Sequence, residues 1–228
     1  MSVSAVGYLR IASADVAAWM DFGTNVLGLM DAQRKDAGGA RFLRMDEHPF
    51  RFMIEPADAD KLIAAGLEFP SAAAWQSTID RLTAAGHAVT PGTAEDAQRR
   101  CVSAFATVLD PAGNTLELYW GRLLDYVPLA SPTGVSGFVT SYQQIGDLGF
   151  GHFVLPAPDL DTATDFYTQL IGTGLTDTLY PPGMDGLQIR FMHANNPRPH
   201  SVALFNGPHP LGIVHMMVEV QTLDEVGK

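Results

Sequence analysis

The chain has 228 residues, a formal net charge of -11, 46% apolar and 17% charged side chains. Such a length suffices for one large or two modest domains with real cores. The acidic balance argues against a nucleic-acid surface, which needs clustered Lys and Arg. Cys101 is the sole cysteine, so an intrachain disulfide and a multi-thiolate metal site are both excluded, and its apolar surroundings mark it as a small core residue. The first ten residues lack a basic segment followed by an apolar one, and no stretch approaches the roughly 18–20 apolar residues of a membrane span. The expectation is a reduced, cytoplasmic protein without a membrane partner.

The first predicted element is an apolar strand at 6–11. A helix follows, with Asp15 placed to cap the free N–H groups of its first turn and Val16, Trp19, Gly23 and Val26 on one face. Gly28 stands where helix C-termini commonly end. Strands at 41–45, 51–55 and near 65–69 complete a βαβββ unit. A second unit holds a helix at 71–85, a strand at 102–109, the Asp110-Pro111-Ala112-Gly113-Asn114 turn and a strand at 115–120. Glu117 on that last strand faces inward or caps the sheet. The stretch 121–147, rich in Gly, Ser and Pro, reads as a linker.

Beyond it the same order returns. A strand at 150–155 leads to a helix capped by Asp159, with Leu160, Ala163, Phe166 and Leu170 on one face and Gly172 at its end. Strands at 187–194 and 200–205 flank Asn195-Asn196-Pro197-Arg198-Pro199, strong turn chemistry that makes them a hairpin. A strand at 212–220 and a helix start at Thr222-Leu223-Asp224-Glu225 close the chain. Laid together, Tyr8 falls on His152, Asp15 on Asp159, Phe22 on Phe166 and Gly28 on Gly172. Arg41-Phe42-Leu43 then falls on Arg190-Phe191-Met192, and Leu67-Glu68-Phe69 on Val218-Glu219-Val220. Blocks matching in one order indicate a duplicated domain. The fold class is therefore α+β, built of tandem βαβββ modules: a first domain at 1–122, a linker at 123–147 and a second domain at 148–228. By analogy with copy one the second domain is incomplete, as in a C-terminally truncated chain, and would leave sheet edges and an apolar face open.

What differs between the copies directs attention to chemistry. His152 replaces Tyr8, and His215 stands where copy one has Ala64. A lone His on an apolar strand is more often structural, its nitrogens satisfied by backbone. Two acquired together on strands able to pair point to a metal site, and neutral imidazole suits iron, zinc, copper or nickel. Glu219 shares a strand face with His215 but lies about 13 Å along it, at roughly 3.3 Å per residue, too far for one ion. The expected third ligand is instead the counterpart of Glu117, which would fall past Lys228. His48 and His87 lie in polar loops and are expected at the surface; like His193 and His209, they have no ligand-spaced partner. No phosphate loop, dinucleotide fingerprint or nucleophile elbow is present.

Several motifs together resemble one family. They are Gly151-His152, Pro158-Asp159-Leu160-Asp161 with Phe166-Tyr167, and Phe191-Met192-His193-Ala194-Asn195 with His200-Ser201-Val202-Ala203-Leu204. Gly212-Ile213-Val214-His215-Met216-Met217 and Leu223-Asp224-Glu225-Val226-Gly227 extend the set. Copy one adds Leu43-Arg44-Met45-Asp46 and the Asp110-Pro111-x-Gly113-Asn114 signature. Nearly the whole chain thus resembles the type I extradiol dioxygenases of the vicinal-oxygen-chelate, glyoxalase-like fold. That resemblance implies aromatic degradation by meta ring cleavage of a catechol-type substrate with O2 at an Fe(II) site, iron being favoured over Mn(II). It implies His152 and His215 as metal ligands, with a Glu beyond Lys228 completing a two-His-one-carboxylate set. His200 matches the family's pocket acid–base, and Phe191, Val154 and Met192 are expected to line the substrate. For His200 the plainer reading is a hairpin-end residue bonding the 195–199 turn.

Two departures stand out: Pro199 precedes His200 and Val214 precedes His215, where family members often show paired histidines. A chain ending at Lys228 is expected to bind iron poorly and to turn over little. A homo-oligomer is expected. Two other readings keep the fold: a glyoxalase-like metal lyase or isomerase, and a non-catalytic small-molecule-binding protein.

Overall fold

In the computed structural model, which describes residues 2–135, 137–142 and 146–228, two β-sheets repeat one strand order. The first sheet is assembled from β1 (Ala5–Ser13), α1 (Val16–Asn25), β2 (Met30–Asp31), β3 (Arg41–Arg44), β4 (Phe52–Pro56) and β5 (Lys61–Phe69). It continues with α2 (Ala72–Ala84), β6 (Thr90–Pro91), α3 (Ala94–Arg100), β7 (Val102–Leu109) and β8 (Thr115–Arg122). Its order is β2-β3-β4-β1-β5-β8-β7-β6. A two-stranded ribbon, β9 (Ser141–Tyr142) with β10 (Gly146–Asp147), falls within the stretch expected to be a linker, of which 136 and 143–145 lie outside the described residues.

The second sheet comes from β11 (Gly151–Pro156), α4 (Leu160–Asp165) running into a π-helical turn (Phe166–Ile171), β12 (Gly174–Leu179), β13 (Ile189–His193), β14 (Val202–Phe205) and β15 (His215–Val218). A last short helix is α5 (Leu223–Val226). The order β12-β13-β14-β11-β15 repeats β2-β3-β4-β1-β5. Register repeats as well. In copy one Arg10 faces Ala64 across β1 and β5; in copy two Val154 faces His215 across β11 and β15. Each first strand also pairs in parallel with the fourth of its module, Leu9 with Phe52 and Phe153 with Val202. The duplication is therefore structural as well as textual.

Local chemistry explains the helix starts. Asp15 accepts from Ala18 N at 2.9 Å and Asp159 from Thr162 N at 3.0 Å, caps worth about 1 kcal/mol each. The buried stripe of α1 is Met20 and Gly23, while Val26 is 60% exposed, so the predicted face was rotated toward its C-terminal end. In the second copy Leu160, Ala163 and Phe166 are buried as expected, and the π-helical turn adds Tyr167 and Ile171 by shifting the side-chain phase. Helix α3 carried no apolar stripe and was not expected. Cys101 caps its C-terminus with φ 56, only partly buried; it is a turn residue and not the core residue expected.

One apolar cluster runs through both copies, from Val3, Leu9 and Leu118 to Phe153, Leu155 and Met192. Polar bonds cross the same boundary. Tyr167 donates to Asp110 at 3.0 Å, Asn114 Nδ2 to the Pro156 carbonyl at 3.0 Å, and Arg81 to the Leu170 carbonyl at 2.7 Å. No helix among the described residues is long and apolar enough to cross a membrane.

Candidate metal centre

Strand alternation gives each sheet two faces. On β11, Phe153 and Leu155 enter the shared core, which leaves His152 and Val154 on the other face. There the Nε2 atoms of His152 and His215 lie 2.9 Å apart. Two adjacent ligands of a six-coordinate ion, each at about 2.1 Å, would stand about 3.0 Å apart, so the pair has the spacing a shared ion demands. His152 is buried and its Nδ1 has no hydrogen-bond partner. Burial, then the neighbouring His215, His200 and Arg198, push its pKa down to about 4. Partial burial lowers that of His215 as well. Both rings are thus neutral at pH 7, as metal binding requires.

His200 joins this face. Its ring stacks on Phe191 with centroids 4.2 Å apart and stands 6.3 Å from that of His152. His200 Nε2 lies 3.1 Å from Asp177 Oδ2; a carboxylate only accepts, so Nε2 carries the proton and Nδ1 the lone pair. The turn 195–199 is held by other groups, with Arg198 N bonded to Asn196 Oδ1. Met192 corrects an expectation. It follows Phe191 on β13, so alternation sends it to the opposite face, where it is fully buried in the core and accepts from the Thr173 hydroxyl at 3.6 Å. It does not line the face that carries His152.

Copy one shows what the same positions look like without a ligand pair. Tyr8 stacks on Tyr119 and packs on Phe50, which packs on Phe42. Phe42 and Phe50 are the counterparts of Phe191 and His200, and the cluster is buried. Glu117 lies beneath it, 2% exposed, accepting from Tyr8, Arg10 and Arg100. Those bonds hold its carboxyl below the usual range against the opposing effect of burial.

Among the described residues no third His, Cys, Asp or Glu joins His152 and His215 within 4.8 Å. Among those residues the one such cluster is His48, Glu68 and Asp147, drawn from the loop before β4, from β5 and from β10. His48 was expected at the surface and is 7% exposed, because Asp46 accepts from its backbone N at 3.0 Å and pulls the loop inward. His87 is half-buried too, its ring edge-on to Phe166. Polar flanks concealed both, since a loop's burial depends on partners distant in sequence.

Comparison with known proteins decides the family. The chain is 40% identical over its whole length to the "Iron-dependent extradiol dioxygenase" of Rhodococcus jostii, spanning 76% of that protein. It is also 40% identical to a "Biphenyl-2,3-diol 1,2-dioxygenase" of Metapseudomonas furukawaii, spanning 73% of it. The chain belongs to the extradiol dioxygenases. Residues 6–57 match the family described as "Dihydroxybiphenyl dioxygenase BphC D1", and residues 149–228 the "Glyoxalase/Bleomycin resistance protein/Dioxygenase superfamily". Among solved structures, "BphC, a halotolerant catechol dioxygenase" superposes with a TM-score of 0.88 at 32% identity, covering 99% of this chain and 73% of that one. The 2,2',3-trihydroxybiphenyl 1,2-dioxygenase of Sphingomonas wittichii gives 0.84 at 29% identity, with 99% and 76% covered. Membership of this family implies a catalytic metal. The fold expected for it, tandem modules of the glyoxalase type, is the fold observed.

Proposed function

We propose that this chain opens a catechol-type ring beside its two hydroxyls, using O2 and an Fe(II) ion ligated by His152 and His215. The observation that carries the reading is the 2.9 Å separation of the two Nε2 atoms on neighbouring strands. The domain at 148–228 would bear the metal, and the one at 1–122, joined through 123–147, would serve as scaffold. For the third ligand, copy one offers the template: Glu117 reaches Tyr8, the counterpart of His152, at 2.7 Å. A glutamate equivalent to Glu117 would complete a two-His-one-carboxylate set.

Ferrous iron, when bound, supplies the site for catecholate and O2 and the path for electrons between them. The protein's own contributions follow from the geometry. His152 and His215 present unprotonated nitrogens at neutral pH. Val154 and Phe191 give the substrate ring an apolar seat and keep water from it, which favours a substituted catechol. His200, with Nε2–H committed to Asp177, keeps Nδ1 free to take a proton from a substrate hydroxyl. A Lewis-acid lyase spread over both modules is less well supported, because Tyr8 and Ala64 offer no ligands opposite the pair.

The test is anaerobic reconstitution with Fe(II) of a chain carried on through the expected glutamate, followed by catechols of increasing bulk and then air. A yellow ring-opened product is expected. Its absence with every catechol, at full iron loading, discards the dioxygenase reading.

A further inference from the structure

The cluster of His48, Glu68 and Asp147 takes no part in the proposed reaction. Asp46 is committed to Arg51, which donates to both of its oxygens at 3.2 and 2.6 Å. Asp46 Oδ1 also stands 3.2 Å from His48 Nδ1, and since a carboxylate only accepts, Nδ1 carries the ring proton. Nε2 is thereby turned inward, toward the two acids. That atom is buried without a hydrogen-bond partner, 3.3 Å from Asp147 Oδ2 and 3.9 Å from Glu68 Oε2. Two donors bound to one ion at about 2.1 Å each can be at most about 4.2 Å apart, and both distances satisfy that limit. An orienting carboxylate behind a ligating histidine is also the usual supporting arrangement in metal sites.

Two acids facing inward need positive charge between them. Arg122 supplies some, reaching Glu68 Oε2 at 3.0 Å and contacting Asp147 Oδ2, while Arg51 reaches Asp147 at 3.3 Å. With Asp46 and Arg51 counted as a neutral pair, Glu68 and Asp147 bring two negative charges against the one of Arg122. Arg122 is also the most exposed of these side chains, 29% against 11% for Glu68 and 10% for Asp147. It borders a cavity of about 560 Å³ that His48 and Asp147 also line. A divalent ion could therefore balance both acids while Arg122 turns out into that space.

We propose that His48 Nε2, Glu68 and Asp147 form a second divalent-metal site, separate from the His152–His215 pair, for a transition ion of the zinc or manganese type. One nitrogen and two carboxylates suit such ions, and a water from the cavity would fill a further position. The site would tie the loop before β4, strand β5 and the β10 ribbon into one unit. It stands independently of the reading given to His152 and His215.

The test removes that pair first. Chelator-stripped H152A/H215A protein, dialysed against Zn(II), is expected to retain one zinc per chain and to melt higher with zinc than without. Adding H48A or E68Q should abolish both effects, whereas R122Q, which deletes the competing cation, should tighten zinc binding at least fivefold. Should H152A/H215A not fold, wild type against H48Q carries the same test, with zinc stoichiometry expected to fall by one. Zinc absent from folded H152A/H215A, zinc that persists after H48A and E68Q, or zinc weakened by R122Q overturns the proposal.

Discussion

The hydroxyl of Tyr8 donates to Glu117 Oε2 at 2.7 Å, and Tyr8 holds in β1 the place that His152 holds in β11. The same carboxylate accepts from Arg10 at 2.6 Å and from Arg100 at 2.7 and 2.6 Å. Copy one thus surrounds its carboxylate with fixed guanidinium charge, in the place where copy two presents imidazoles. Truncating one member of so buried a set leaves the others uncompensated. Glu117→Ala should cost about 3–5 kcal/mol by urea denaturation, and metal binding by the folded fraction should be unchanged.

Gly151 precedes His152 with φ 152, and a Cβ there would sit 1.7 Å from the Met217 carbonyl on β15. Gly151→Ala must push β11 and β15 apart at the point where they align the two histidines. A stability loss of about 2–3 kcal/mol is expected from the overpacking. Metal affinity should fall with it, whereas Gly183→Ala, which meets no neighbouring atom, should leave metal affinity unaltered.

In the metal-free protein His152 titrates near pH 4 while an unfolded histidine titrates near 6.5. The folded state therefore binds fewer protons than the unfolded one between those values. Stability is complete above about pH 6.5 and is lost as pH falls through 4. Melting temperatures measured from pH 7 to 4 should decline more steeply for wild type than for His152→Phe. Equal slopes would show that burial of this ring does not govern the acid limb.

Asp177 is 55% exposed, so its bond to His200 is worth at most about 1 kcal/mol. Asp177→Asn should lower kcat by no more than about fivefold with KM little moved. His200→Ala should cost about 100-fold or more, as loss of an acid–base group does. Steady-state kinetics on the iron-loaded protein, with the chain carried through the expected glutamate, separate the two.

The pairing of the modules was legible because duplicated positions constrain each other: once Tyr8 fell on His152, the Asp15 and Asp159 caps had to coincide. The face of Phe191 against that of Met192 was also available from strand alternation, yet both were assigned to the substrate, and the structure buries Met192. Other features could not be read. His48 depends on Asp46, Glu68 and Asp147, which meet only after the sheet has closed, and α3 is short and polar, its existence decided by the Thr93 cap and its packing on β7. The π-helical turn at Phe166 depends on side chains fitting across two copies, a constraint no window of local sequence contains.

His215 sits on β15, which is joined to β11 over four residue pairs, Gly151–Val218 through Val154–His215. Whatever ion that histidine captures must first find the strand docked. Apparent affinity therefore includes the work of seating that strand, and an occupied centre would in turn act as a rivet between β11 and β15.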